Sequence, residues 1–270
     1  MRKDTKLLKK YFFDKMIYRV LKKEGINYRE VERAIDSLDY SYIKLVPRSC
    51  VVGVDTTYLG SDLGITIFRD VTNKVTLHWI FVRKENLATY VNGINYLKQS
   101  GIHILGFVVD GFWPFYLHYQ DKYPIQMCQK HMKDIVRRYI TLHPNLEAGK
   151  ELKQIVSPLT KYTAKEFDLK FDAWVSKWRS FLGQRTYNDD GTWNYTHDRL
   201  RSAMKSLRRY RPFLFTYKSC TWIPNTNNSL EGFNSALKSF IKPHHGLIPS
   251  RRAKLAHLYL KNSSVFNWAN

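Results

Sequence analysis

Residues 50–82 read CVVGVDTTYLGSDLGITIFRDVTNKVTLHWIFV. Three runs within it, CVVGVDTTY, GITIFRD and VTLHWIFV, are rich in β-branched and aromatic residues. Gly, Asp and Asn separate them, and these residues favour tight turns. Short connections suit antiparallel pairing, so the stretch predicts a three-strand meander. Further along, LATYVNGINYLKQSG has the spacing of an amphipathic helix that stops at Gly101. HILGFVVD is an unbroken apolar run ending at Asp110, as in a strand buried on both faces. PIQMC reads as a fifth short strand and QKHMKDIVRRYI as a helix. The order β-β-β-α-β-α-β-α predicts an α/β fold, a mixed sheet with helices on both faces.

Residues 144–220 break that order. They are helical in pattern and rich in aromatic and basic residues, among them Phe167, Phe171, Trp174, Trp178, Arg208, Arg209 and Arg211. They read as a helical insertion. On the other side of the meander, apolar residues recur at helical spacing over 5–24, and Gly25 ends that helix. A second short helix covers 28–38. The two either form part of a helix-turn-helix or pack as an arm on the core. The chain therefore divides into a basic N-terminal helical segment (1–49), the first part of a core (50–143), the insertion (144–220) and the end of the core with a basic tail (221–270).

The 270 residues suffice for a sizeable core. Against 23 acidic residues stand 44 basic ones, a formal net charge of +21. The excess is local. Residues 1–49 hold 13 basic and 7 acidic residues, 137–218 hold 17 and 8, and 232–270 hold 6 and none. The rest is neutral. A neutral core flanked and interrupted by basic segments suits a polyanion, with nucleic acid the first candidate and an anionic membrane the second. No apolar stretch approaches the roughly 20 residues of a membrane-spanning helix. The charged N-terminus does not read as a signal peptide. Cys50, Cys128 and Cys220 form no Cys-x-x-Cys pair, so no zinc ribbon is built from them. An odd count fits a reducing compartment.

In a protein that holds phosphates, carboxylates repel the ligand unless a metal ion offsets them. Asp55 emerges from an apolar strand, and Asp110 closes another just before Gly111. Functional groups of sheet folds collect at strand ends. Equally, Asp-Gly is a common turn pair, and Asp55 could be an exposed strand residue. Glu231 lies in NTNNSLEGFNSALKSFI. There Leu230, Phe233, Leu237 and Ile241 define an apolar face, and Glu231, Asn234 and Lys238 an adjacent polar stripe. Asn228 with Glu231 also has the spacing of a helix-capping box.

Together these features resemble the ribonuclease-H-like core of DDE transposases. The nearer similarity is to bacterial insertion-sequence transposases of the Mutator-like superfamily. In that group a Cys-x-x-His pair follows the second Asp, and a helical insertion precedes the Glu. Here Cys128-Gln129-Lys130-His131 follows Asp110, and 144–220 is the insertion. DTTY after the first strand and NTNNSLEGFNSALK, with Asn228, Glu231 and Asn234, also look familial. The resemblance covers about residues 50–262. Relatives commonly carry a larger N-terminal DNA-binding region, whereas 49 residues without zinc cysteines precede the core here. That departure points to a fragment, to a shortened element, or to end recognition by the insertion and tail.

The resemblance implies a DNA transposase that cuts phosphodiesters at element ends and joins them to target DNA. It implies Asp55, Asp110 and Glu231 as ligands of two Mg²⁺ ions, with Mn²⁺ as a substitute. Carboxylates suit such hard cations, and an ion pair can clamp an in-line displacement. Cys128 and His131 would lie near the site; two ligands alone do not make a closed zinc site. Lys238, Arg208, Arg209, Arg211, Arg251, Arg252 and Lys254 are the expected phosphate contacts. Trp222 is either a base-stacking residue or a core tryptophan. A homodimer on paired DNA ends, in the bacterial cytoplasm at the nucleoid, is the expected setting. The other readings are a non-catalytic DNA-binding remnant and a ribonuclease-H-like nuclease without strand transfer. The strand-rich core disfavours a membrane-surface protein.

Overall fold

The computed structural model describes residues 7–13, 18–244 and 246–264. The meander appears as β1 (Arg48–Tyr58), β2 (Gly64–Asp70) and β3 (Val75–Val82), preceded by α1 (Tyr18–Lys23) and α2 (Tyr28–Asp36). Then come α3 (Leu87–Gln99), β4 (Ile102–Val109), α4 (Trp113–Tyr119), β5 (Ile125–Met127) and α5 (Gln129–Ile140). The insertion holds α6 (Glu147–Val156), α7 (Ala164–Lys177), α8 (Arg179–Gly183), β6 (Arg185–Tyr187), β7 (Trp193–Tyr195), α9 (Asp198–Tyr210) and α10 (Thr216–Ser219). The chain closes with α11 (Asn228–Ile241) and α12 (Pro249–Asn262).

Five strands form one mixed sheet in the order β3-β2-β1-β4-β5. The β1–β2 and β2–β3 pairs are antiparallel, and β4–β5 is parallel. Asp70 closes the β2–β3 turn: its carboxylate accepts from the amides of Thr72 (3.1 Å) and Asn73 (3.0 Å). The chain clusters into two compact units, Met1–Leu105 with Asn228–Asn270, and Gly106–Asn227.

In the first unit, strand register explains how both sheet faces are covered. Paired residues share a face, and faces alternate along a strand. Thr56 pairs with Thr66, and Asp55 with Ile67. The Thr66 face also carries Phe68, and α3 covers it. The Tyr90 and Thr56 hydroxyls lie 3.2 Å apart, and Phe68 rests on Gly93. The opposite face carries Asp55, Ile65 and Ile67. These two isoleucines share a core with Leu230 and Leu237 of α11 and with Leu255 and Leu260 of α12. Val31, Ala34 and Ile35 of α2 enter the same core, so this helix packs on the unit as an arm.

Gly93 is required by that packing. A Cβ there would meet Phe68 Cζ at 2.1 Å. Alanine gains about 1 kcal/mol in helix propensity, but forcing an atom into a filled core costs about 1–3 kcal/mol. Gly93→Ala is therefore expected to lower the urea midpoint. An unchanged or raised midpoint would mean that Phe68 yields without cost.

Two expectations need correction. The helix read over 5–24 is not uniformly α-helical: Lys9–Phe13 is a π-helical turn and Tyr18–Lys23 is α-helical, with 14–17 outside the described residues. The insertion is not wholly helical either. Arg185–Tyr187 and Trp193–Tyr195 pair as a hairpin. Its turn is set by Gly191 at φ +81° and by Asp190, whose carboxylate accepts from the Thr192 amide at 2.9 Å. The remainder of the insertion is helical as expected, with Phe167, Phe171 and Trp174 stacked along α7 at 5.6 and 6.2 Å. A Thr163–Glu166 capping box starts that helix. Among the described residues, no helix is long and apolar enough to cross a membrane.

Candidate functional site

Asp55 lies in the middle of β1, half-buried, on the face that α11 covers. Asn234 of α11 donates from Nδ2 to Asp55 Oδ2 at 2.7 Å. Asn234 is 5% exposed, and its other polar atom, Oδ1, is buried without a donor among the described residues. The amide can therefore fix the orientation of the carboxylate while keeping an unmatched oxygen of its own.

Glu231 stands three residues before Asn234 in the first turn of α11. Residues three apart on a helix are neighbours, so Glu231 belongs to the stripe that meets β1. A carboxylate in a first turn is also favoured by the helix dipole. Asn228 is the first residue of α11. Lys238, one further turn along, is exposed.

Behind Asp55, on the α3 face, lies a network absent from the sequence reading. Tyr90 donates to Glu85, and Thr56 and Thr66 hydroxyls are 2.8 Å apart. Burial pushes the Glu85 carboxyl above the ordinary range, against the pull of the Tyr90 hydrogen bond, and the nearby charge of Asp55 adds to the rise. Sequence gave little signal for Glu85, since RKEN reads as an ordinary charged loop.

Asp110 belongs to the second unit and directly follows β4. Its Oδ1 accepts from the Phe112 amide at 3.2 Å, the local turn expected of Asp-Gly. Two tyrosines clamp the backbone around it. Tyr116 donates to the Asp110 carbonyl at 2.6 Å, and Tyr210 donates to the Gly111 carbonyl. Burial, reinforced by the Asp110 charge, holds the fully buried Tyr116 hydroxyl well above its usual pKa. Tyr210 is pushed up to about 12, again chiefly by burial. Both hydroxyls thus remain donors across the physiological range.

Cys128 directly follows β5, its amide bonding to the Val109 carbonyl at 2.9 Å. It is buried, and its Sγ accepts from the Asn227 amide at 3.3 Å. His131, one turn into α5, is partly exposed. Two glutamines beside this pair, unremarked in the sequence, tie down the return segment. Gln126 and Gln129 both donate to the Leu214 carbonyl at 2.9 Å, and Asn225 Nδ2 donates to Gln129 at 3.2 Å. Two glutamines inside IQMCQ, where an apolar strand is expected, were the available hint.

The expected phosphate contacts differ in how far they are engaged. Arg208 and Arg209 are exposed on α9, Arg209 lying 5.2 Å over the Trp113 ring. Arg211 is paired with Asp168 and Asp172. Arg251 is paired with Glu32 and Asp36, Arg252 with Asp62, and Lys254 donates to the Asp36 carbonyl. These groups are already engaged within the protein, whereas Arg208 and Arg209 are exposed. Trp222 is 53% exposed, as a stacking residue would be and a core tryptophan would not.

Compared with known proteins, the chain matches no protein-family model, and no curated protein shows significant similarity to it.

Proposed function

We propose that the protein is a DDE transposase with a ribonuclease-H-like core, in which Asp55, Asp110 and Glu231 hold two Mg²⁺ ions. The observation that carries this reading is the Asn234–Asp55 hydrogen bond, which sets the Glu231-bearing stripe of α11 against the acid of β1. The sheet order β3-β2-β1-β4-β5, with an antiparallel meander first and an acid closing β4, supports it.

The donor set suits a hard cation. Carboxylates would supply oxygen ligands, and Asn234, whose Oδ1 is buried and unmatched, holds the Asp55 carboxylate in place. When bound, the ions supply activation of the attacking oxygen and stabilisation of the leaving one. The chain's own residues orient that chemistry. Asn234 fixes the Asp55 carboxylate, and Tyr116 and Tyr210 hold the backbone that presents Asp110. Exposed Lys238, Arg208 and Arg209 attract the DNA backbone without reading its sequence.

Incubating the protein with supercoiled plasmid and Mg²⁺ or Mn²⁺ tests the proposal. Nicked circles are expected with either ion and none in a chelator. Nicking that survives chelation would overturn the metal assignment. DNA affinity should also fall steeply between 50 and 200 mM salt, by about 10³-fold or more if some six phosphates are contacted. A flat salt response would remove the case for the basic surface.

A further inference from the structure

A cleft in the first unit lies apart from the proposed metal ligands. It encloses about 490 Å³ at the end of β1 and the C-terminal half of α11. Its walls are the ring of Tyr58 and the side chains of Leu59 and Ile241, and Lys238, Lys242 and Arg252 line it as well. None of its described lining residues is acidic.

The cleft is preformed. The Tyr58 hydroxyl accepts from the Glu85 amide at 3.0 Å, which pins the ring. Arg252 is anchored to Asp62 at 2.9 Å and to the Leu59 carbonyl at 2.7 Å, while its Nε–H is buried with no acceptor among the described residues. Gly60, at φ +107°, shapes the lip; a Cβ there would meet Arg252 Nη1 at 3.0 Å. An apolar, aromatic-walled recess of this size fits a small planar group. Two lysines beside it demand that the group carry anionic neighbours.

Position narrows the ligand further. Lys238 lies four residues beyond Asn234, about 6 Å along the helix axis, and Asn234 touches Asp55. A ligand filling the cleft thus lies on the same helix stripe as the proposed metal ligands. A polymer with phosphates at short intervals and planar bases between them meets all three requirements. We propose that this cleft is a subsite for one unpaired deoxynucleotide, its base against Tyr58, Leu59 and Ile241 and its phosphates on Lys238 and Lys242. The inference rests on the reading of DNA as substrate and adds where an unpaired nucleotide is held.

The test uses the full chain in chelator, so that no cleavage is read. Three fluorescent versions of one duplex are compared by anisotropy: blunt, with a short single-stranded overhang containing 2-aminopurine, and with the same overhang made abasic. The overhang is expected to bind about tenfold more tightly than the other two, in line with stacking on one base, with its 2-aminopurine emission altered on binding. Ser239→Trp, at an exposed position lining the cleft, should fill it and abolish the preference. Lys238→Glu should weaken binding of both overhangs at least about fivefold relative to the blunt duplex, since both keep their phosphates. Equal affinity for base and abasic overhangs would overturn the subsite, as would a base preference that survives Ser239→Trp or overhang binding that Lys238→Glu leaves unchanged. Plasmid nicking without overhang preference would defeat this inference alone. Preference without nicking would leave the subsite standing and defeat the assignment of the three acids.

Discussion

Asp110→Asn is expected to abolish metal-dependent nicking and to leave DNA binding intact or strengthened. The substitution keeps the shape and the ability to accept from the Phe112 amide, so the turn after β4 should survive. What it removes is a negative charge at the proposed ion site. Losing a share of the charge stabilisation that a metal gives the transition state, about 4 kcal/mol, corresponds to roughly a thousandfold in rate. Binding should respond in the opposite sense, because one source of repulsion towards phosphate has gone. Measured side by side on supercoiled plasmid and by anisotropy on a duplex, the two effects separate. Nicking at wild-type rate in the variant would refute the role of Asp110; loss of both activities together would point to a damaged fold.

The second large effect concerns acid. His78 and His244 are buried in the first unit, at 7% and 2% exposure. His78 stacks on Tyr96 at 4.1 Å, and His244 sits 4.3 Å from the Tyr11 ring with neither ring nitrogen partnered among the described residues. Burial lowers the pKa of each to about 4. In the unfolded chain each would titrate near 6.5. Below that pH the unfolded state takes up protons that the folded state refuses, so stability is full above about 6.5 and is lost as pH falls towards 4. Between pH 7 and 5 each group is expected to cost about 2 kcal/mol, a large part of a typical 5–15 kcal/mol. Urea unfolding at the two pH values, for wild type and for His78→Phe/His244→Phe, measures this. The double variant should lose most of the pH dependence; equal slopes would mean that other groups set the acid limit.

Local patterns made much of this molecule legible. The strands of 50–82 announced themselves because their turns carry Gly, Asp and Asn and their interiors β-branched residues. The helical stripe of α11 was legible for the same reason, since residues at i, i+3 and i+7 must share a face. The β6–β7 hairpin was not, although Asp190-Gly191 is a turn signal. Strands of three residues are too short to show a period of two. Long-range partners were also hidden. Nothing near Arg251 in the sequence indicates Glu32 and Asp36, over two hundred positions earlier, yet these acids fix its guanidinium. The same holds for the environment of Glu85, whose raised pKa comes from a packed helix and a neighbouring strand, not from its own loop.

The discontinuity of the first unit has a consequence for how the protein is made. Asp55 is synthesised early, but the helix that orients it begins only at residue 228, after the whole of the second unit. Ile65 and Ile67 likewise wait for Leu230, Leu237, Leu255 and Leu260 to cover them. A chain still on the ribosome can complete the middle unit first, while the meander stands with one face bare. The arrangement of Asp55 and Asn234 therefore comes into being only after the second unit has been made, so a product interrupted before residue 228 carries the acid without the partner that aims it.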